Sequence, residues 1–233
     1  MKKFGIIKDD LIRLASEAGL FLEDTFKHCS GRAQLLAKIK DNFKPMYSME
    51  IIDIDWLRNY YSEEDLNRQL IYSTGVVELF SDFRTSIIIG DCRCVSSFNA
   101  TTVLAFDKAY IKTMGIGKVY GYGNSNIEAS SFARIYAYDR CHVKASNYAT
   151  VFSFDQANVQ ASDYVRVFVE GSGETILKCH SSAYVRNLDA QVEANGYSNV
   201  HHNGADGVHV CEHAVAVDNP HKGVTFGGEL AIV

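Results

Sequence analysis

Eleven residues placed eight apart constrain this chain more than any other feature: Ile87, Val95, Val103, Ile111, Val119, Ile127, Ile135, Val143, Val151, Val159 and Val167. Every one is Val or Ile, and such a column is the mark of an internal repeat. After one-residue slips near Gly173 and Ser182, the reading continues it through Ile176, Val185, Val192, Val200 and Val208. The motif is A-x-V-x-A-x-D-x, plain in Ala133-Arg134-Ile135-Tyr136-Ala137-Tyr138-Asp139-Arg140. Strand side chains alternate, so positions one, three and five share a face and are small, β-branched and small. Position seven holds Asp107, Gly123, Asp139, Asn147, Asp155 and Asp163, residue types that tolerate a tight corner. Each octad is then a short strand plus a corner, and successive octads stack as a solenoid.

A longer period lies inside the first. Position four reads Leu104, Lys112, Tyr120, Glu128, Tyr136, Lys144, Phe152, Gln160, Phe168, and position six alternates Phe106, Tyr122, Tyr138 and Phe154 with Met114 and serines. Aromatic and polar residues take turns, so the coil has about sixteen residues and two sides. The fold class predicted is mainly β: a two-sided parallel β-solenoid over residues 85–233, with a small N-terminal α-helical cap over residues 1–84. About nine coils give roughly 43 Å of stack at the usual strand spacing. Only Pro45 and Pro220 interrupt the chain, and the 174 residues between them contain no proline, as a strand-rich run requires.

The first region has helical periodicity. Asp9-Asp10-Leu11-Ile12-Arg13-Leu14-Ala15 should stop at Gly19. A helix behind Ser30 should end before Pro45, Ser62 should cap another through Leu70, and Asp53–Leu57 is a short further one. Open strand edges invite aggregation, and these helices are expected to cover the first coil.

Repeats such as Ile135-Tyr136-Ala137-Tyr138-Asp139 and Val143-Lys144-Ala145-Ser146-Asn147 resemble those of uncharacterised octapeptide-repeat proteins of gut bacteria and their phages. The resemblance covers the repeat half closely and the helical region loosely. It implies the solenoid fold and a phage or mobile-element origin, with host machinery or a virion component as partner. It implies no activity and carries over no functional residue.

Composition narrows function. The net charge of −5 is too mild for a nucleic-acid binder, and across residues 117–172 five basic residues meet five acidic ones. Apolar runs are too short for a membrane span, and the run after Lys3 stops at Lys8, too short for a secretion leader. The six cysteines, Cys29, Cys92, Cys94, Cys141, Cys179 and Cys211, are unevenly spaced and are expected as free thiols in the cytoplasm. Neither a nucleophile elbow nor a phosphate loop is present: Gly115-Ile116-Gly117-Lys118 lacks the first Gly and the Ser or Thr. No cofactor is expected, and Gly171-Ser172-Gly173 is the one insertion where a site would interrupt the stack.

The expected interaction surface is an aromatic ladder of Leu104, Tyr120, Tyr136, Phe152 and Phe168, flanked by Phe106, Tyr122, Tyr138 and Phe154. Stacked one strand apart, these form an apolar face too large to stay uncovered. The leading reading is a non-enzymatic protein-interaction or assembly module, covered by its own helices, by a second copy in a homodimer, or by another protein. Phe132, Tyr148 and Tyr164, at position eight, are expected to fill corners from inside. A second reading is glycan binding along the aromatic face. A third is a metal-dependent enzyme or binder at the His/Cys-rich C-terminal coils, where Leu177, Glu193 and His209 share one outward column and Cys179, Asn195 and Cys211 the next. Its candidate ligands are Glu193, His209 and Cys211.

Overall fold

The computed structural model describes residues 4–80, 84–97 and 101–218. The chain divides into two compact units after Ser73.

The first unit is helical. In α1 (Phe4–Glu17), Ile7, Leu11 and Ala15 recur at one helix face and are buried. The helix ends where expected, with Gly19 at φ 78° and the Leu20 N–H returning to the Ala15 carbonyl. A short α2 (Glu23–Lys27), not foreseen, is followed by α3 (Arg32–Asp41), which buries Leu35, Leu36 and Ile39. Pro45 falls in the first turn of a separate α4 (Phe43–Ser48), where its missing N–H costs nothing. Asp53 caps α5 (Ile54–Tyr60) by accepting the Trp56 N–H, and Ser62 caps α6 (Glu63–Arg68) by accepting that of Asp65. The Ser62 cap follows the sequence reading, and the short helix expected at Asp53–Leu57 is present with Asp53 as its cap.

The second unit is a mainly β, two-sheet parallel β-solenoid with about sixteen residues per coil. One sheet runs through Thr85–Ile88, Thr102–Ala105, Lys118–Gly121, Arg134–Ala137, Thr150–Ser153, Arg166–Val169, Ser182–Val185, Asn199–His202 and Val215–Asp218. The second runs through Val76–Phe80, Arg93–Ser97, Tyr110–Thr113, Asn126–Ala129, His142–Ala145, Asn158–Ala161, Glu174–Leu177, Gln191–Ala194 and Val208–Val210. Register is fixed in steps of sixteen across the centre: Val119 pairs with Ile135, Ile135 with Val151, Val151 with Val167. These side chains and their flanking alanines are buried, forming the thin core that small and β-branched types predict.

At the ends of the column the register differs from the sequence reading. Ser86 and Cys94, not Ile87 and Val95, are the partners of Val103 and Ile111, because those coils carry a seventeenth residue. Val159 pairs with Thr175, so no slip occurs at Gly173; Ile176 faces outward and Leu177 inward. The extra residue enters later, since Thr175 pairs with Val192 and Ala183 with Val200. Counting Val and Ile alone followed the β-branched residue even where it had moved off the inward position. The stack also starts earlier than residue 85, with Val76–Phe80 pairing to Arg93–Ser97.

Corner chemistry is visible atom by atom. Asp107, Asp139, Asn147, Asp155 and Asp163 all take φ between 51° and 62°, and Gly123 takes 67°. Asn and Asp enter this left-handed region more readily than other side chains. Their carboxylates then accept backbone N–H groups of the coil before: Asp139 from Gly123 at 2.8 Å, Asp155 from Asp139 and Asp163 from Asn147 at 3.1 Å. These bonds link one coil to the next outside the strand ladders.

Candidate functional site: stacked aromatic columns

Three aromatic columns run along the stack, because identical positions recur one strand spacing apart. On the outward face of the first sheet, Tyr120, Tyr136, Phe152, Phe168, Tyr184 and His201 stack in file with centroids 4.7–5.3 Å apart. Each is half-buried by its neighbours, and Leu104 begins the column. The sequence reading placed these residues correctly as far as Phe168; Tyr184 and His201 extend the file past the region where its register slipped.

Beside it, Phe106, Tyr122, Tyr138 and Phe154 also stack, at 4.7–5.1 Å. Here a correction is needed. Phe106 is 0% exposed and Tyr122 only 5%, so neither presents a contact surface. Burial pushes the Tyr122 hydroxyl well above the ordinary tyrosine value, and that of Tyr138 upward too. Only Tyr138 and Phe154, half-buried, continue toward solvent.

The third column overturns an expectation. Phe132, Tyr148 and Tyr164 do not fill corners from inside; they are 62%, 53% and 53% exposed. Position seven in the left-handed conformation turns the chain, and the next side chain, at position eight, points off the outside of the bend. The file begins with exposed Ile116 and continues through Phe132, Tyr148, Tyr164, His180, Tyr197 and His213, all exposed, with ring centroids 5.0–5.4 Å apart. The opposite corner holds Lys108, Asn124, Arg140, Gln156 and Ser172 at the same octad position. Spacing by sixteen separates the two corners and was the available signal.

The fold also sorts charge that the sequence mixes. Lys118, Arg134 and Arg166 share one exposed column of the first sheet, in register with Thr150, between the corner file and the sheet file. Asp139 and Asp155 lie at the polar corner. Across residues 117–172 the charges sum to zero, while this strip is cationic.

The His/Cys-rich coils place Glu193 opposite His209, one coil apart, as expected, but Ile176 and not Leu177 completes that outward column. The Glu193 carboxylate accepts from Asn195 at 2.8 Å. His201 lies on the other sheet. Among the described residues, no three His, Cys, Asp or Glu side chains converge on a position that would hold a metal. No described helix is long and apolar enough to cross a membrane.

The cysteines are free, four buried and two, Cys179 and Cys211, exposed. Burial pushes the thiols of Cys94 and Cys141 from 9.0 up to about 12. The unfolded chain therefore releases these protons at lower pH than the folded one, so stability falls as pH rises from about 9 toward 12. Urea melts across that interval should show a falling midpoint, with a shallower fall in Cys141→Ala. An equally steep fall would remove this thiol as a source. At neutral pH, a maleimide should label Cys179 and Cys211 quickly and the other four only on unfolding.

The fold and these columns define a β-solenoid with aromatic residues exposed along one corner. In comparison with protein-family models, curated proteins and solved structures, nothing matches the chain.

Proposed function

We propose that this solenoid is a non-enzymatic protein-interaction module that docks through its exposed aromatic corner and the adjoining sheet file. The observation that carries the reading is the seven-residue file from Ile116 to His213, exposed at every position. Contiguous apolar surface of this extent is characteristic of association sites. Aromatic residues are also enriched where protein partners bury area.

Ring spacing favours a protein over a sugar or a base. Carbon contacts optimise at about 3.5–4.0 Å, so inserting a flat group between two rings needs about 7–8 Å. Successive rings of the corner file are 5.0–5.4 Å apart, so their faces are occupied by one another. What they offer outward is ring edges and the hydroxyls of Tyr148, Tyr164 and Tyr197, a ridge suited to side-chain packing. With Lys118, Arg134 and Arg166 alongside, the complementary surface is apolar with carboxylates.

Association with a second copy is the first form to test. Sedimentation of the wild type across a concentration series should show a dimer. Replacing Phe132, Tyr148, Tyr164 and Tyr197 together by Ser should weaken it by about a thousandfold, taking about 1 kcal/mol for each aromatic contact. Circular dichroism should stay unchanged, because all four side chains are exposed. Unaltered association in that variant would remove the corner as the contact. A wild type that remains monomeric throughout would leave a heterologous partner, captured by the wild type and not by the variant.

A further inference from the structure

The second sheet carries a different surface. Its outward position-four column reads Lys112, Glu128, Lys144 and Gln160, paired in that order, and position six beside it holds Ser130, Ser146 and Ser162. Long side chains beside short ones leave a groove along the stack, with a volume of about 350 Å³ and Lys178 at its end.

The groove's charge is unbalanced. Glu128 is its carboxylate, and the Tyr110 hydroxyl donates a hydrogen bond to it. Among the described residues, no ion pair or hydrogen bond engages the ammonium groups of Lys112, Lys144 and Lys178. Lys112 and Lys144 are two coils apart in the position-four column, and Lys178 lies two coils beyond Lys144 along the stack, at position six beside Ile176. At the usual strand spacing, cations recur roughly every 9.6 Å. The coils between carry Glu128 with Ser130 and Gln160 with Ser162, while Ser146 shares the coil of Lys144.

We propose that this groove binds a linear acidic oligosaccharide in which a carboxylate-bearing sugar alternates with a neutral one. A single small anion meets one ammonium and leaves two unpaired, so the occupant is extended. An extended peptide repeats its same-face side chains every ~6.6–6.8 Å, out of step with the lysines. A nucleic-acid strand brings one phosphate per nucleotide, more charge than one cation per two coils neutralises. A linked sugar ring advances its chain by close to one strand spacing, which sets acidic groups at the lysine coils and hydroxyl-rich neutral rings at the coils between, where their hydroxyls meet Glu128, Ser130, Gln160 and Ser162. The site is separate from the aromatic corner and does not rest on the docking reading.

A fluorescent hyaluronan hexasaccharide, which alternates glucuronate with N-acetylglucosamine, is the probe. Titration into the full chain at low salt should show saturable binding that weakens as salt is raised. Lys112→Gln, Lys144→Gln and Lys178→Gln together should reduce affinity about tenfold, three exposed ion pairs being lost. Lys144→Gln alone provides the same comparison if the triple variant changes the circular dichroism. Neutral chitohexaose should bind far more weakly, and the corner Ser variant should bind like the wild type. No saturation at millimolar probe, or lysine variants that bind undiminished, would overturn the proposal. Equal or tighter binding of hexaglutamate or an oligothymidylate would overturn it in favour of that class.

Discussion

Gly173→Ala is expected to unfold most of the stack, at a cost of about 3–5 kcal/mol. A β-carbon built on Gly173 would lie 1.9 Å from the Ala157 carbonyl oxygen, 2.6 Å from its carbon and 2.8 Å from the Gln156 carbon. All three are backbone atoms of the preceding coil, so no side-chain rotation relieves the clash. Moving them would break the pairing of Asn158–Ala161 with Glu174–Leu177, including the bond from the Glu174 N–H to the Asn158 side chain. Gly171 is held as closely, its β-carbon meeting the Asp155 oxygen at 2.4 Å. At Gly123, by contrast, the nearest atom is 3.3 Å away and φ is 67°, a conformation Asp and Asn adopt elsewhere in the same column. Gly123→Asn should therefore cost about 1 kcal/mol or less. Urea melts of the three proteins decide the matter. A Gly173→Ala protein as stable as the wild type would show that this corner does not lie against residues 155–157.

Phe106→Ala should cost about 3–5 kcal/mol, while Phe132→Ala costs about 1 kcal/mol or less. Both are phenylalanines of the repeat, two octad positions apart in the motif, and both stack on a tyrosine of the next coil. They differ in what surrounds them. Phe106 is fully buried, so truncation leaves a cavity in a packed region. Phe132 is exposed, so truncation removes one ring contact and leaves the space to water. Thermal or urea denaturation of the two single variants measures the contrast directly. Equal losses would mean that the corner file is covered in the folded protein, contrary to the geometry on which the docking proposal stands.

Much of this architecture was legible in the chain itself. The column from Val103 to Val167 gave the octad, and the alternation of Tyr120, Tyr136 and Phe152 with Glu128 and Lys144 gave the two-sided coil. Both follow from one fact, that a strand alternates its faces residue by residue. The corners were legible for a similar reason, since Asp and Asn at position seven tolerate a positive φ. Where a coil gained a residue, as between Ala183 and Val200, the pattern remained but its phase did not. Residue type alone could not show whether Thr175 or Ile176 faced inward.

What the sequence determined, then, was the repeat: its period, its inward residues across the central coils and the conformation of its bends. Tertiary structure decided which aromatics meet solvent. Phe106 and Phe132 belong to the same repeat, but one is packed away and the other projects from a bend whose curvature turns position eight outward. It also decided where charge accumulates. Lys118, Arg134 and Arg166 are spread among acidic residues along the chain and come into one file only when the coils stack, and Lys112, Lys144 and Lys178 come to line one groove of the second sheet in the same way. A side chain's periodic address is local, whereas its exposure and its charged neighbours depend on residues one full coil away.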